Sequence, residues 1–133
     1  MRYLVDSDWV ADFLAGRPAA ISLIRDLLPD GLGLSIVSYV EVMEGVRGSR
    51  YRSIMEEGFD RFLVGVQGLD LTVPVANRAA DIRLQLRSLK RQVNHRAMDL
   101  LIAATAIEHD LTLVTRNIKH VVDVPELGLY PLP

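Results

Sequence analysis

Tyr3-Leu4-Val5-Asp6-Ser7-Asp8-Trp9-Val10 is the stretch that decides the architecture. A short apolar run climbs to an acid, then breaks into a turn and an amphipathic segment. Residues 2–5 read as a buried strand, which puts Asp6 at the strand's carboxyl end. Ligands of open α/β sheets bind in the crevice outside those ends. Ser7 or Asp8 caps the following helix, whose apolar face carries Trp9, Val10, Phe13 and Leu14.

The same alternation repeats outward from this stretch. Pro18 suits the first position of a second helix, with Ile21, Ile24, Leu27 and Leu28 on one side, closed by Pro29-Asp30-Gly31. Residues 33–37 read as a second strand. Ser38 followed three residues later by Glu41 matches a capping box and opens a helix to about Val46. Residues 50–66 form another amphipathic helix, and residues 69–73 a third strand. Pro74 starts a long helix to about Arg91, with Val75, Ala79, Ile82, Leu86 and Leu89 at helical period. Residues 98–109 are apolar all round, as in a helix buried on most sides. Residues 111–115 are a fourth strand, and residues 127–130 a candidate edge strand. Strands alternating with helices imply a mostly parallel sheet. The expected fold is a three-layer α/β/α sandwich with four to five central strands, in a single domain over residues 1–133.

Composition narrows the class. At 133 residues, half of them hydrophobic, the chain has enough apolar material for a proper core. There is no cysteine, so disulfides and thiolate metal sites are excluded. No signal-peptide layout precedes Tyr3, and the apolar stretch from Leu100 to Ile107 is far too short to span a membrane. A soluble cytoplasmic protein is the expectation. The net charge of −2 argues weakly against nucleic acid. Without Asp6, Glu41 and Asp99 the remainder would carry +1, and no acid lies between Asp81 and Asp99. The local patch therefore matters more than the total.

Three carboxylates stand where strands hand over to helices: Asp6, Glu41 and Asp99. Each alone has a structural explanation. Asp6 can cap a helix, Glu41 can complete its capping box, and Asp99 can favour a helix dipole. Together they carry chemistry. Parallel strands bring their carboxyl ends to one sheet edge, and clustered carboxylates repel unless a cation sits among them. An all-oxygen donor set without histidine or cysteine suits Mg²⁺ or Mn²⁺ better than Zn²⁺.

The chain resembles PIN-domain proteins, and among them the VapC-type toxin ribonucleases. Four stretches carry the resemblance: residues 3–10 with Asp6, residues 35–46 with Glu41, residues 99–106 led by Asp99, and Leu113-Val114-Thr115-Arg116-Asn117-Ile118-Lys119-His120. The last two are the most specific. The resemblance implies a Mg²⁺- or Mn²⁺-dependent endoribonuclease that cuts RNA, often tRNA or ribosomal RNA. It also implies a homodimer and a cognate antitoxin, VapB-like, bound across the active-site groove. Asp6, Glu41 and Asp99 match the acids that hold the metal. Asn117 stands where many relatives have a fourth aspartate, and its amide oxygen can still orient a water. Val121 replaces an aromatic. Asp8 has two readings, an added acid at the site's edge or a helix cap.

Thr115, Arg116, Arg96 and Ser7 are the candidate substrate contacts. Thr115 ends a strand beside the presumed site. Arg96 precedes Asp99 by three residues, and Arg116 adjoins Asn117. Arg83, Arg87 and Lys90 recur at helical spacing, either as a solvated face or as a phosphate-tracking patch. His95, His109 and His120 show no mutual spacing that suggests a metal site or general base. Two rival functions remain. Asp6-Ser7-Asp8 after a strand also resembles the first motif of haloacid-dehalogenase-type phosphatases, with Asp6 as nucleophile and Asp8 as acid/base. A PIN-like fold that only binds a partner is the other.

Overall fold

The computed structural model describes residues 1–132. Strands β1 (Tyr3–Val5), β2 (Leu32–Ser35), β3 (Val66–Leu69) and β4 (Thr112–Val114) form one sheet. Every pairing is parallel, and the order is β3-β2-β1-β4. Helices α1 (Ser7–Leu14) and α2 (Pro18–Leu27) join β1 to β2. Helices α3 (Ile36–Arg47) and α4 (Arg52–Val64) join β2 to β3, and α5 (Val73–Ser88) and α6 (Ala97–Glu108) join β3 to β4. The expected α/β/α sandwich is the observed one.

Side-chain alternation along β1 shows how the layers divide. Leu4 faces a core shared with Ile82 and Leu86 of α5 and with Leu100 and Ile102 of α6. Val5 faces the opposite core, with Val10, Ile24, Val42 and Phe59 of α1 to α4. Successive strand residues point to opposite faces, so a fully buried strand must be apolar throughout. The chain first builds the sheet in one direction from β1, then returns to place β4 on β1's other side. A crossover of the same hand that runs back across the sheet puts its helices on the other face. The reversal makes the β1–β4 junction the topological switch point.

Several boundaries differ from the sequence expectation. The third strand is Val66–Leu69, not 69–73. Leu69, Leu71 and Val73 alternate as a strand would, but Leu71 and Val73 are 47% and 73% exposed. Thr72 instead caps α5, its hydroxyl accepting the Val75 N–H at 3.3 Å. Helix α4 accordingly stops at Val64. The second strand ends at Ser35, and α3 starts at Ile36, two residues before the expected serine. Ser35 is the cap: its Oγ accepts the Ser38 N–H at 3.0 Å. The expected capping box of Ser38 and Glu41 does not form. The expected edge strand at 127–130 reduces to a single parallel bridge between Leu113 and Leu129. No helix among the described residues is long and apolar enough to cross a membrane.

Candidate active site

The site is assembled at the switch point. The Asp6 N–H donates to the Val114 carbonyl at 3.0 Å, which carries the β1–β4 ladder one step beyond the strands. Asp6 and Thr115 are thereby brought side by side, both buried. Asp6 uses both carboxylate oxygens. Oδ1 accepts the Ser7 N–H at 2.8 Å and caps α1, while Oδ2 accepts the Thr115 hydroxyl at 2.6 Å. The Thr115 oxygen in turn accepts the Asn117 N–H at 3.0 Å. The structural and chemical readings of Asp6 are thus compatible: the cap holds the carboxylate in one orientation.

Ser7 links the second acid to the first. Its hydroxyl lies 3.2 Å from Glu41 Oε1 and 3.5 Å from Asp6 Oδ1. Because α3 begins at Ile36, Glu41 sits in the second turn and caps nothing. Partial burial, and then the charge on Asp6, push the Glu41 carboxyl above its ordinary range. The Ser7 hydrogen bond opposes this, and Asp99 and Asp8 add to it. The charges of Asp6, Asp99 and Asp8 thus all reach Glu41. Asp8 itself is exposed in the first turn of α1.

Asp99 lies in the first turn of α6. Its Oδ2 is 2.9 Å from His120 Nδ1. His120 was not expected at the site. It lies 21 residues downstream, in the turn Ile118–His120 after β4, and only the fold brings it there. A cleft of about 560 Å³ opens beside Ser7, Asp8 and Glu41 and is floored by Leu14, Val46 and Met55. Glu44 lines it too.

The two arginines fall differently from expectation. Arg96 is not a groove residue. It is 5% exposed, and its guanidinium forks onto both oxygens of Asp123 at 2.6 and 2.9 Å. It also donates to the carbonyls of Gln92 and His120. A fork used this fully fastens the 94–96 turn to the 118–123 segment and has little left for a phosphate. Arg116 is half exposed, with its guanidinium 3.8 Å above the Trp9 ring and an ion pair to Asp12 at 2.6 Å. It lies against α1, next to the Asp6 cap.

The donor set fits a hard divalent cation. It offers carboxylate, hydroxyl and amide oxygens, and Glu41 is destabilised by negative neighbours that a cation would offset. No group of three or more His, Asp or Glu among the described residues forms a ready-made cage. Mg²⁺ needs none, since it is usually held by one or two carboxylates and keeps several waters.

One consequence can be measured without any metal. A raised carboxyl pKa means that the folded chain binds the proton more tightly than the unfolded one. The Glu41 contribution to stability therefore falls as pH rises from the ordinary value of 4.5 through the raised one. Glu41→Gln is expected to stabilise the metal-free protein above that window and to leave it unchanged below. Urea unfolding at several pH values checks this, and a variant less stable than wild type near neutrality would contradict it.

The chain matches the PIN domain over residues 3–124, a span that contains every residue of this site. It is similar to Ribonuclease VapC19 of Mycobacterium tuberculosis, 31% identical over 126 residues, covering 93% of this chain and 95% of the relative. It is also similar to Ribonuclease VapC10 of the same organism, 35% identical over 119 residues, covering 88% and 84%. Among solved structures, VapBC2 from Rickettsia felis bound to a promoter DNA fragment superposes with a TM-score of 0.86 over all of both chains, at 23% identity. The DNA-bound VapBC of Salmonella typhimurium gives 0.84 at 19% identity, over 98% and 97% of the two chains. These likenesses establish the fold, and the family match rests on the sequence itself. This chain belongs to the PIN-domain family.

Proposed function

We propose that the chain is a Mg²⁺- or Mn²⁺-dependent endoribonuclease, acting as a single domain over residues 1–133. It is the toxin half of a toxin–antitoxin pair and works in the cytoplasm on an RNA such as tRNA or ribosomal RNA. The observation that carries this is the pairing of Asp6 and Glu41 through Ser7 at the switch point, with Asp99 near enough for its charge to reach Glu41. The curated relatives are named as ribonucleases, and the two structures above are complexes of the VapBC type. A VapB-like antitoxin and a homodimer are the partners this supports.

Asp6, Glu41 and Asp99 would hold the ion, directly or through its waters. When bound, the ion supplies Lewis acidity that lowers the pKa of a water and neutralises charge on the phosphate. The protein's own groups supply order. Thr115 and the Ser7 N–H fix both oxygens of Asp6. His120 fixes one oxygen of Asp99. The Ser7 hydroxyl donates to Glu41 Oε1 and steadies that carboxylate beside Asp6. Asn117, whose backbone N–H donates to Thr115, would orient water or phosphate with its amide. A phosphatase of the haloacid-dehalogenase type is disfavoured by the PIN match and by the exposed position of Asp8, away from the Asp6 oxygens' partners.

The test is RNA cleavage by the purified, antitoxin-free chain with Mg²⁺, with Mn²⁺ and with chelator. Discrete fragments that require metal are expected. Cleavage that survives chelation, or hydrolysis of an aryl phosphate without RNA cleavage, would overturn the proposal.

A further inference from the structure

The end of α5 and the turn after it carry a cluster of positive charge, of which Arg91 lies near enough to Asp123 for its charge to reach that carboxylate. Arg83, Arg87, Lys90 and Arg91 make no ion pair among the described residues. Arg17, Arg47, Arg52, Arg61, Arg78, Arg96 and Arg116 each do, while Arg2, Arg25, Arg50 and Lys119 are also unpaired among the described residues but are not gathered on one element. Arg83 and Arg87 are nevertheless held in place. Both donate to the same acceptor, Asn94 Oδ1, at 2.9 and 3.1 Å. A neutral amide orders two guanidiniums without cancelling their charge, which a carboxylate at that position would do.

The backbone beyond α5 is also fixed. The Lys90 N–H donates to the Arg87 carbonyl and the Arg91 N–H to the Leu86 carbonyl, both at 2.9 Å. This is the paired closure of a Schellman motif, with Lys90 in the left-handed conformation at φ 59°. It turns the chain so that Arg91 returns toward Arg87. A cleft of about 410 Å³ results, lined by Arg87, Arg91, Gln92, Asn94 and His95.

This cleft leads to the candidate active site. His95, on its wall, packs edge-on against His120 with ring centroids 5.9 Å apart. His120 in turn bonds Asp99. Arg87, His95, His120 and Asp99 are thus linked in sequence of contact, with Asp123 to one side, where it is engaged by Arg96.

We propose that this cleft is a binding groove for the RNA backbone, seating phosphates on one flank of the scissile bond. Arg87 and Arg91 contact phosphate, Asn94 positions Arg83 and Arg87, and His95 marks where the strand passes toward Asp99. The proposal rests on the ribonuclease reading and adds to it where the substrate lies.

The test is binding of a fluorescein-labelled single-stranded RNA by anisotropy, with Ca²⁺ replacing Mg²⁺ to hold back cleavage, over a series of salt concentrations. Each phosphate contact contributes about 0.7 to the slope of log affinity against log salt for single strands. The Arg87→Gln/Arg91→Gln double variant is expected to lose about 1.4 from that slope and about tenfold or more in affinity at low salt. Asn94→Asp, which keeps every arginine, is expected to weaken binding as well. Arg61→Gln, on α4, is the control and should bind as wild type. These positions are exposed, so thermal melts of the variants should match wild type.

Unchanged affinity and slope in the double variant would overturn the proposal. So would retained RNA affinity with loss of an acidic protein partner, which would make the cleft a protein-docking surface. Failure of the ribonuclease reading has a different signature, the absence of metal-dependent cleavage in the wild-type chain.

Discussion

Replacing Asp6 with asparagine is expected to leave the fold standing and to lower RNA cleavage by about a thousandfold or more. Lewis-acid stabilisation by a bound ion is worth several kcal/mol, and each 1.36 kcal/mol is about tenfold in rate. The fold should survive because asparagine caps a helix as well as aspartate does. Its side-chain oxygen can keep the Ser7 N–H, and its amide can meet the Thr115 oxygen in place of the present bond. Single-turnover cleavage and a thermal melt, run on the same preparation, separate the two effects. Cleavage at the wild-type rate would remove Asp6 from the mechanism. A collapsed melt would show that the carboxylate is required by the fold.

Truncating Asp123 to alanine is expected to destabilise the protein by about 3 kcal/mol. Removing one partner of a buried ion pair typically costs about 3–5 kcal/mol, because the other charge is left uncompensated. Arg96 is 5% exposed, whereas the Asp123 side chain is 21% exposed, which argues for the lower end. The effect should reach the site as well. Arg96 also holds the His120 carbonyl, and His120 holds Asp99, so a loosened Arg96 slackens the support behind one acid. The pair has a pH signature. Hydrogen bonding from Arg96 and its charge hold the Asp123 carboxyl below its ordinary value of 3.8, against the opposing effect of burial. A lowered carboxyl pKa contributes stability that is complete above the ordinary value and is lost as pH falls through the lowered one. Urea unfolding of wild type should show this loss on the acid side, and Asp123→Ala should lack it. A variant as stable as wild type near neutrality would refute the role assigned to the pair.

Hydrophobic period made the helices legible. The run from Val75 to Leu86 is buried at every expected position except the end, where Leu89 is exposed beyond the Ser88 terminus. The strand ends carrying Asp6 and Thr115 were legible too, because a fully buried parallel strand leaves an unbroken apolar run. The β3 boundary was not. Leu69, Leu71 and Val73 alternate correctly for a strand, and only the pairing of Val66–Leu69 with β2 settles which residues the sheet takes. The α3 cap was ambiguous for a local reason: Ser35 and Ser38 both precede the apolar run, and the earlier one captured the later one's N–H.

The site divides along the same line. Residues at strand ends could be placed from topology alone. Contacts made by long side chains across the fold could not. Arg96 lies three residues from Asp99, yet its reach takes it to Asp123, 27 residues away. His120 reaches Asp99 across a gap that no helical or strand period spans. Nothing in the sequence marks either partnership, since each depends on how the segment after β4 folds back over α6.

The central claim is that Asp6, Glu41 and Asp99 together hold a divalent cation. Titration of Mn²⁺ into the purified chain, followed by electron paramagnetic resonance, tests it most directly because free and bound Mn²⁺ are distinguished without any substrate. The account predicts saturable binding to wild type and marked weakening in both Asp6→Asn and Asp99→Asn, each with an unchanged melt. Mn²⁺ bound equally well by wild type and both variants would place the cation elsewhere and contradict the account.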